Sequence, residues 1–158
     1  MMFGILRIYV ENSVIGGYYE EEFEVPTQRL FELFRKGIYK AVISTHVIAE
    51  LSKGAPQSVI DVLLTIDYEK HIVTEEMERL TKKYMEQKIV SKKYEADALH
   101  IAIATVLEVD VLVSWNFKHI VNLDKIRRFN AVNLLYGYKT IEIRSPREVI
   151  ENEIKKKV

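Results

Sequence analysis

The stretch from Glu95 to His119, EADALHIAIATVLEVDVLVSWNFKH, constrains the fold of this chain more than any other. Its first part, residues 95–108, has apolar residues at helical spacing and on nearly every side, with no Gly or Pro, which predicts a buried helix. A short apolar strand, Val111–Val113, follows and ends in a Ser-Trp-Asn sequence. A buried helix that leads into a buried strand is typical of a βαβ unit, in which ligands bind beyond the carboxyl ends of the strands.

The rest of the chain alternates between strand and helix patterns. We predict helices that include one opened by Pro26, one over residues 46–53 with Thr45 as its N-cap, and one over residues 56–66. The predicted strands cover residues 6–10, 40–44, 71–73, 111–113 and 138–143. This alternation predicts an α/β fold, a three-layer α/β/α sandwich with a mostly parallel sheet of about five strands, formed by residues 1–158 as a single domain.

Composition excludes several classes of protein. With 23 basic and 23 acidic residues the formal net charge is zero, so the chain is not a strongly basic protein that coats duplexes. It has no Cys, which excludes disulfides and thiolate metal sites and favours a reducing cytoplasm. No apolar run approaches the roughly 20 residues that span a bilayer, and the N-terminal segment resembles a first strand more than a signal peptide.

Four polar residues stand out by their position relative to the predicted elements. Glu11 directly follows the first strand, Glu50 lies on the helix after the second, Asp97 begins the buried helix and Asn116 follows the fourth strand. Glu11 and Asn116 are expected at one edge of a parallel sheet, whereas the position of Asp97 is inferred rather than forced. Alternatives stay open for two of these residues. Glu11 could belong to a helix N-cap region. Glu50 could be a solvated surface residue, or could pair with His46 at a metal.

If these four residues converge, they form an oxygen-lined cluster with a charge of about minus three, which needs a cation because like charges repel. Hard oxygen ligands without Cys select Mg²⁺ or Mn²⁺ over zinc. Such an ion can activate water and support in-line displacement at phosphorus. The chain has no Gly-rich phosphate loop, HExxH or GxSxG motif, so it gives no support to P-loop, zincin or hydrolase-elbow chemistry.

Four motifs together resemble a known family. They are YVENSVIGG at residues 9–17, STHVIAEL at 44–51, EADALHIAIA at 95–104 and LVSWNFKHIVN at 112–122. In this order and spacing they resemble the PIN-domain family, above all the prokaryotic VapC-type toxins of toxin–antitoxin pairs, over residues 6–150. The resemblance implies a small α/β/α fold and a metal-dependent endoribonuclease.

The resemblance also assigns site residues, motif by motif. Glu11 falls where the family usually has Asp, and Glu50 and Asp97 fall on the acidic residues of its two helices. Asn116 falls where many members have a second Asp and a subset has Asn, and Ser13 matches a small hydroxyl residue that supports the first acid. Glu11 moves its carboxylate by roughly 1.5 Å relative to Asp, and the neutral Asn116 leaves a second metal weakly held.

The resulting hypothesis is an Mg²⁺- or Mn²⁺-dependent ribonuclease that a cognate antitoxin restrains. Lys118, His119, Arg127 and Arg128 are candidate RNA phosphate contacts, with His119 also a candidate proton donor. The resemblance suggests a homodimer, and Tyr18, Tyr19 and Phe23 could form its interface or pack locally. Two rival hypotheses are a catalytically impaired PIN fold that binds RNA or a protein, and a structural α/β domain whose carboxylates are only caps and surface charges.

Overall fold

A five-stranded parallel sheet forms the centre of the computed structural model, which describes residues 4–156. The strands are β1 Leu6–Val10, β2 Tyr39–Ser44, β3 Tyr68–His71, β4 Val111–Val113 and β5 Glu142–Arg144. They lie in the order β3-β2-β1-β4-β5, and each neighbouring pair is parallel. The predicted α/β class and parallel sheet are therefore confirmed, and the predicted first and fourth strands have the bounds that the structure shows.

Helices connect the strands. They are α1 Asn12–Gly16, α2 Glu24–Arg35, α3 Thr45–Ser52, α4 Gln57–Ile60, α5 Glu75–Glu86, α6 Glu95–Val106, α7 Leu123–Leu135 and α8 Pro146–Lys156. α2 packs against α8, and α5 packs against α6 and α7. Because crossovers between parallel strands are right-handed, the connections that run from β1 outward to β3 and those that run from β3 back to β5 lie on opposite faces of the sheet. The result is the three-layer sandwich that the sequence predicts.

The centre of the sheet is apolar because its two middle strands are covered on both faces. Ile8, Tyr9 and Val10 of β1 are 0% exposed, and Leu112 and Val113 of β4 are fully buried as well. Helix α6 packs beside them with nearly every side covered, as its sequence pattern predicts. The polar residues at the ends of these strands and at the start of this helix are therefore held in a rigid frame.

The structure corrects four details of the prediction. The third strand, predicted over residues 71–73, instead covers Tyr68–His71. The N-cap of α3 is Ser44, not Thr45, because the Ser44 hydroxyl accepts from the Val47 amide at 3.1 Å. The predicted helix over residues 56–66 is wrong as one element, since α4 is followed by a 3₁₀ helix that buries Val62 but leaves Leu64 83% exposed.

The last strand, predicted over residues 138–143, instead covers Glu142–Arg144. The Asn130 side chain explains the later start. It accepts from the Ile141 amide at 2.8 Å and donates to the Ile141 carbonyl at 3.1 Å, so neither group is free for a strand partner.

The N-terminal aromatic residues pack locally for the most part. Tyr18 lies edge-on to Phe31, and Phe23 stacks on Trp115, whereas Tyr19 is 56% exposed. Their predicted role in a dimer interface stays a prediction. Within residues 4–156 the structure contains no helix long and apolar enough to cross a membrane.

Candidate functional site

The strand order determines where a site can form. The chain adds strands outward from β1 to β3 and then crosses back to β4 on the other side of β1, so the order reverses between β1 and β4. In open parallel sheets ligands bind beyond the carboxyl ends of the strands at such a switch point. The register pairs Val10 with Val113, which places Glu11 and Ser114 side by side at this edge.

Glu11 is a buried carboxylate held by hydroxyl donors. It is 3% exposed, and its Oε1 accepts from the hydroxyls of Ser13 and Ser114, both at 2.5 Å. Its Oε2 accepts from the Ser13 amide at 3.0 Å, which makes Glu11 the N-cap of α1. Burial raises the pKa of Glu11, and the two serines oppose that shift because their hydrogen bonds favour the charged form. The N-cap alternative is thus correct for Glu11 and compatible with a site.

Asp97 lies half-buried in the first turn of α6. Burial and, to a smaller extent, the nearby charges of Glu11 and Glu50 together raise the pKa of Asp97 to about 6. A hydrogen bond from the Asn116 side chain acts in the opposite direction. Glu50 also raises the pKa of Glu11. The structure therefore brings the three predicted carboxylates, which are far apart in sequence, close enough to repel one another.

Glu50 lies at the open side of this cluster. Its side chain is 23% exposed, and its Oε1 lies 3.5 Å from the Lys53 ammonium group. His46, one turn earlier, donates from Nε2 to the Ala96 carbonyl at 3.1 Å, since a carbonyl can only accept. This bond ties the helix that carries Glu50 to the residue before Asp97. The other ring nitrogen of His46 lies 4.0 Å from the Glu50 carboxylate.

His46 packs against a buried series of hydrogen-bonded polar side chains. Its ring packs on His100 with a centroid separation of 4.3 Å. His100 Nδ1 lies 2.7 Å from the Tyr9 hydroxyl, which in turn lies 2.9 Å from the Ser44 hydroxyl. Burial lowers the pKa of His100, so this ring is neutral at neutral pH. These polar side chains join α6 to β1 and β2. They therefore fix the relative positions of the elements that carry the three carboxylates.

Asn116 uses both ends of its amide. Its Oδ1 accepts from the backbone amides of Lys118 and His119 at 3.2 and 3.0 Å, which closes a tight turn. Its side chain also lies near enough to Asp97 to lower the pKa of that carboxyl, and because Oδ1 faces the turn, the NH₂ group is the part that favours the charged form. Asn116 thus orients Asp97, and its role as a metal ligand stays a prediction.

Ser114 is the residue that the sequence reasoning missed. Its hydroxyl donates to Glu11 and accepts from the Asn116 amide at 2.9 Å, so it joins two site residues. A signal was present in the sequence, because Ser114 follows β4 as directly as Glu11 follows β1. Only the register of the two strands shows that the two positions meet.

The predicted RNA contacts differ in their surroundings. Lys118 is exposed next to Asn116, and Arg127 and Arg128 are exposed on α7. His119 is only 9% exposed, and the Tyr94 ring covers it with a centroid separation of 3.8 Å.

Within residues 4–156 both ring nitrogens of His119 are buried without a hydrogen-bond partner. Burial, with Lys118 and Lys125 nearby, lowers its pKa. His119 is therefore neutral at neutral pH, and proton donation from it requires Tyr94 to move.

The oxygen atoms of this site are the type of ligand that a hard divalent cation binds. Three mutually repelling carboxylates supply oxygen atoms, and a cation between them would remove the repulsion. Among residues 4–156 no three His, Asp or Glu side chains are already arranged around one common metal position. One reason is visible at Glu11, whose two oxygens both point at the donors of Ser13 and Ser114.

No protein-family model matches the sequence, and no curated protein matches it significantly. Among solved structures, the chain is similar to a chain in the crystal structure of VapBC2 from Rickettsia felis bound to a DNA fragment from their promoter. The two chains share a fold. The TM-score is 0.58 at 16% sequence identity, over 89% of this chain and 98% of that one. This similarity confirms the predicted α/β/α sandwich and supports the resemblance to VapC-type proteins at the level of the fold.

Proposed function

We propose that this protein is a divalent-metal-dependent endoribonuclease of the PIN-domain type that hydrolyses RNA phosphodiester bonds. The observation that carries the proposal is the convergence of Glu11, Glu50 and Asp97 at the switch point of the parallel sheet. These are the residues that the four sequence motifs assign to the acidic positions of the family. The fold shared with a VapBC2 chain adds support from a separate source.

Each residue of the site has a role in this proposal. Glu11, Glu50 and Asp97 would hold Mg²⁺ or Mn²⁺, and when bound the ion would supply activation of water and neutralise charge on the scissile phosphate. Asn116 orients Asp97 through its amide, as described above. Above about pH 6 Asp97 is ionised and available as a ligand.

The buried side of the site positions Glu11. Ser13 and Ser114 keep its carboxylate in one rotamer and stabilise its charged form against burial. The exposed ammonium group of Lys118, beside Asn116, is placed to bind a phosphate of the substrate. Together these groups bind and orient an RNA backbone at the acidic pocket.

The same proposal includes a partner. VapBC2 is a similar solved structure, and its name pairs two proteins. We therefore propose that this chain is the toxin of a toxin–antitoxin pair in the cytoplasm and is restrained by a small antitoxin protein. Co-purification of the chain with the product of an adjacent reading frame, and loss of cleavage in that complex, tests this part. The predicted homodimer stays a prediction.

RNA cleavage with added Mn²⁺ tests the nuclease proposal. We expect the wild type to cleave RNA, EDTA to abolish cleavage, and Asp97→Asn to reduce it by at least about 100-fold, because a ligand at the reacting centre is lost. Asp61→Asn is the matched control, since Asp61 is an exposed carboxylate that bonds only Gln57 Nε2 among the described hydrogen bonds. Equal activity of the wild type and Asp97→Asn would remove Asp97 from the mechanism.

A second function is favoured by one specific observation. Both Glu11 oxygens are engaged by donors, and Asn116 presents an NH₂ group to Asp97 rather than an oxygen to a metal. These contacts are what a catalytically impaired PIN fold that binds RNA would have. Binding of single-stranded RNA without turnover at any divalent metal concentration would favour this function over hydrolysis.

A further inference from the structure

An exposed aromatic side chain lies at the rim of the acidic pocket. Phe117 directly follows Asn116, which contacts Asp97, and it is 51% exposed. Singly exposed apolar side chains are common on protein surfaces, so it is the place of this ring next to a site residue, and not its exposure alone, that suggests a ligand. The ring lies on the same tight turn that the Asn116 amide closes, so its position is fixed relative to the carboxylates.

Trp115 supports this ring from beneath. It is 6% exposed and stacks on Phe23 with a centroid separation of 4.4 Å. Its Nε1 donates to the Thr27 hydroxyl at 2.9 Å, which fixes the orientation of the indole. The Phe117 centroid lies 6.1 Å from that of Trp115. Phe117 therefore stands on a rigid base, with its free surface directed away from the core.

The side chain of Arg147 lies beside Trp115. Arg147 is the second residue of α8, which begins where β5 ends, at the same edge of the sheet as the carboxylates. Its guanidinium carbon lies 5.9 Å from the Trp115 centroid. Within residues 4–156 no carboxylate lies at ion-pair distance from Arg147, whereas its neighbour Arg144 pairs with two. The charge of Arg147 is thus available to an anionic ligand.

We propose that Phe117 and Arg147 form a subsite for one unpaired nucleotide of the RNA, next to the acidic pocket. The base stacks on Phe117, and Arg147 binds the phosphate of the same nucleotide or its neighbour. An exposed ring beside an unpaired cation matches a flat base joined to a phosphate, and this pairing is the common means of binding single strands. A base inside a duplex has no free face, so the subsite selects single-stranded substrate. The identity of the ligand as RNA rests on the proposed function.

The chain provides its own reporter for a binding experiment. Trp115 is its single tryptophan, and it lies near both Phe117 and Arg147, so a nucleotide in this subsite should change the tryptophan fluorescence. Binding of a short single-stranded oligoribonucleotide is measured in EDTA, in the absence of cleavage, for the wild type, Phe117→Ala, Phe117→Tyr and Arg147→Gln. The same sequence as a duplex is measured in parallel, and thermal melting verifies that each variant is folded.

Matched control variants lie at the opposite edge of the sheet. Tyr136 is 44% exposed at the end of α7, and Lys139 is a surface cation that pairs with Glu108 before β4. Tyr136→Ala and Lys139→Gln remove the same kinds of group from a surface far from the pocket.

We expect Phe117→Ala to weaken single-strand binding by about 5- to 150-fold, and Phe117→Tyr to restore it because the ring is retained. Arg147→Gln should lower the slope of log affinity against log salt by about 0.7, the value for one phosphate contact on a single strand. The duplex should bind more weakly than the single strand and be insensitive to Phe117→Ala. Affinities for the two control variants should stay at the wild-type value.

The proposal is overturned if Phe117→Ala binds the single strand as tightly as Tyr136→Ala does, or if the wild type binds no RNA at all. The experiment distinguishes failure of the subsite from failure of the nuclease proposal. Cleavage in Mn²⁺ without any effect of Phe117→Ala on binding refutes the subsite and leaves the nuclease intact. Binding that depends on Phe117, without cleavage at any metal concentration, supports the subsite and refutes the nuclease proposal.

Discussion

Replacing Asp97 by Asn should make the metal-free protein more stable, although it removes a residue of the proposed site. The charged form of Asp97 is disfavoured by burial and by the neighbouring charges of Glu11 and Glu50. Asn removes the charge but keeps an oxygen that accepts the hydrogen bond from Asn116. The raised pKa means that the repulsion that is removed outweighs the favourable interactions of this charge with the Asn116 side chain and with the N-terminus of α6.

The size of the effect follows from the pKa shift. The pKa of Asp97 rises from its ordinary 3.8 to about 6 in the folded protein, which corresponds to at most about 3 kcal/mol at 1.36 kcal/mol per unit. Since the side chain is only half-buried, solvent screening reduces this to about 1–2 kcal/mol. The folded state binds the proton more tightly than the unfolded chain, so wild-type stability falls as the pH rises from about 4 to about 6 and then stays low.

Thermal unfolding of the wild type and Asp97→Asn, each in EDTA and in Mn²⁺, measures this effect. In EDTA at pH 8 we expect the variant to melt about 2–8 °C above the wild type, since 1 kcal/mol shifts Tm by about 2–4 °C in a chain of this size. Near pH 4 the difference should vanish, because Asp97 is then protonated in the folded wild type. In Mn²⁺ at about 100 times Kd the wild type gains about 2.7 kcal/mol and the variant far less, so the order should reverse.

The control is Asp61→Asn, which should leave Tm unchanged in both conditions because this carboxylate is exposed. Two results would refute the reasoning. Lower stability of Asp97→Asn in EDTA at pH 8 would mean that the carboxylate is not under electrostatic strain. An equal rise in Tm with Mn²⁺ for wild type and variant would mean that the ion binds elsewhere.

Three further predictions follow from individual contacts. Ser114→Ala should lower the free energy of unfolding at pH 8 by about 1–3 kcal/mol in urea denaturation, because a buried donor to the Glu11 carboxylate is lost; unchanged stability would contradict the assigned hydrogen bond. Gly17→Ala places a methyl group 3.1 Å from two aromatic side chains and should cost about 1–3 kcal/mol, whereas Gly16→Ala, with nothing within 4 Å, should be neutral or slightly stabilising. His46→Ala should reduce the Mn²⁺-induced rise in Tm, since the helix of Glu50 loses its tie to α6; a full wild-type rise would show that this tie does not position Glu50.

The sequence was most informative where the signal is local. The first strand and the buried helix α6 were predicted because hydrophobic spacing reports directly on which faces are covered. The positions of Glu11 and Asn116 followed, since each lies directly after a buried strand of a parallel sheet. Asp97 was correctly expected near them, but only by inference, because a long connection separates its helix from the preceding strand β3.

The features that the sequence could not show depend on the register between strands and on side chains that occupy backbone groups otherwise free for a strand partner. The role of Ser114 follows from the pairing of Val10 with Val113, which no local pattern encodes. The late start of β5 depends on one Asn130 side chain that occupies the backbone of Ile141. The covered position of His119 beneath Tyr94 likewise depends on how two loops pack.

The pairing of β1 with β4 has a consequence for how the protein matures. The hydrogen bond from Ser114 to Glu11 joins residues 103 positions apart, so the carboxylates cannot gather while the chain is still being made. Synthesis proceeds from the N-terminus at about 5–20 residues per second, and the ribosome must release the segment beyond residue 116 before the sheet can close around its middle strands. A polypeptide that stops before residue 114 therefore has no assembled pocket, and any chemistry of this site begins only after that segment has left the ribosome.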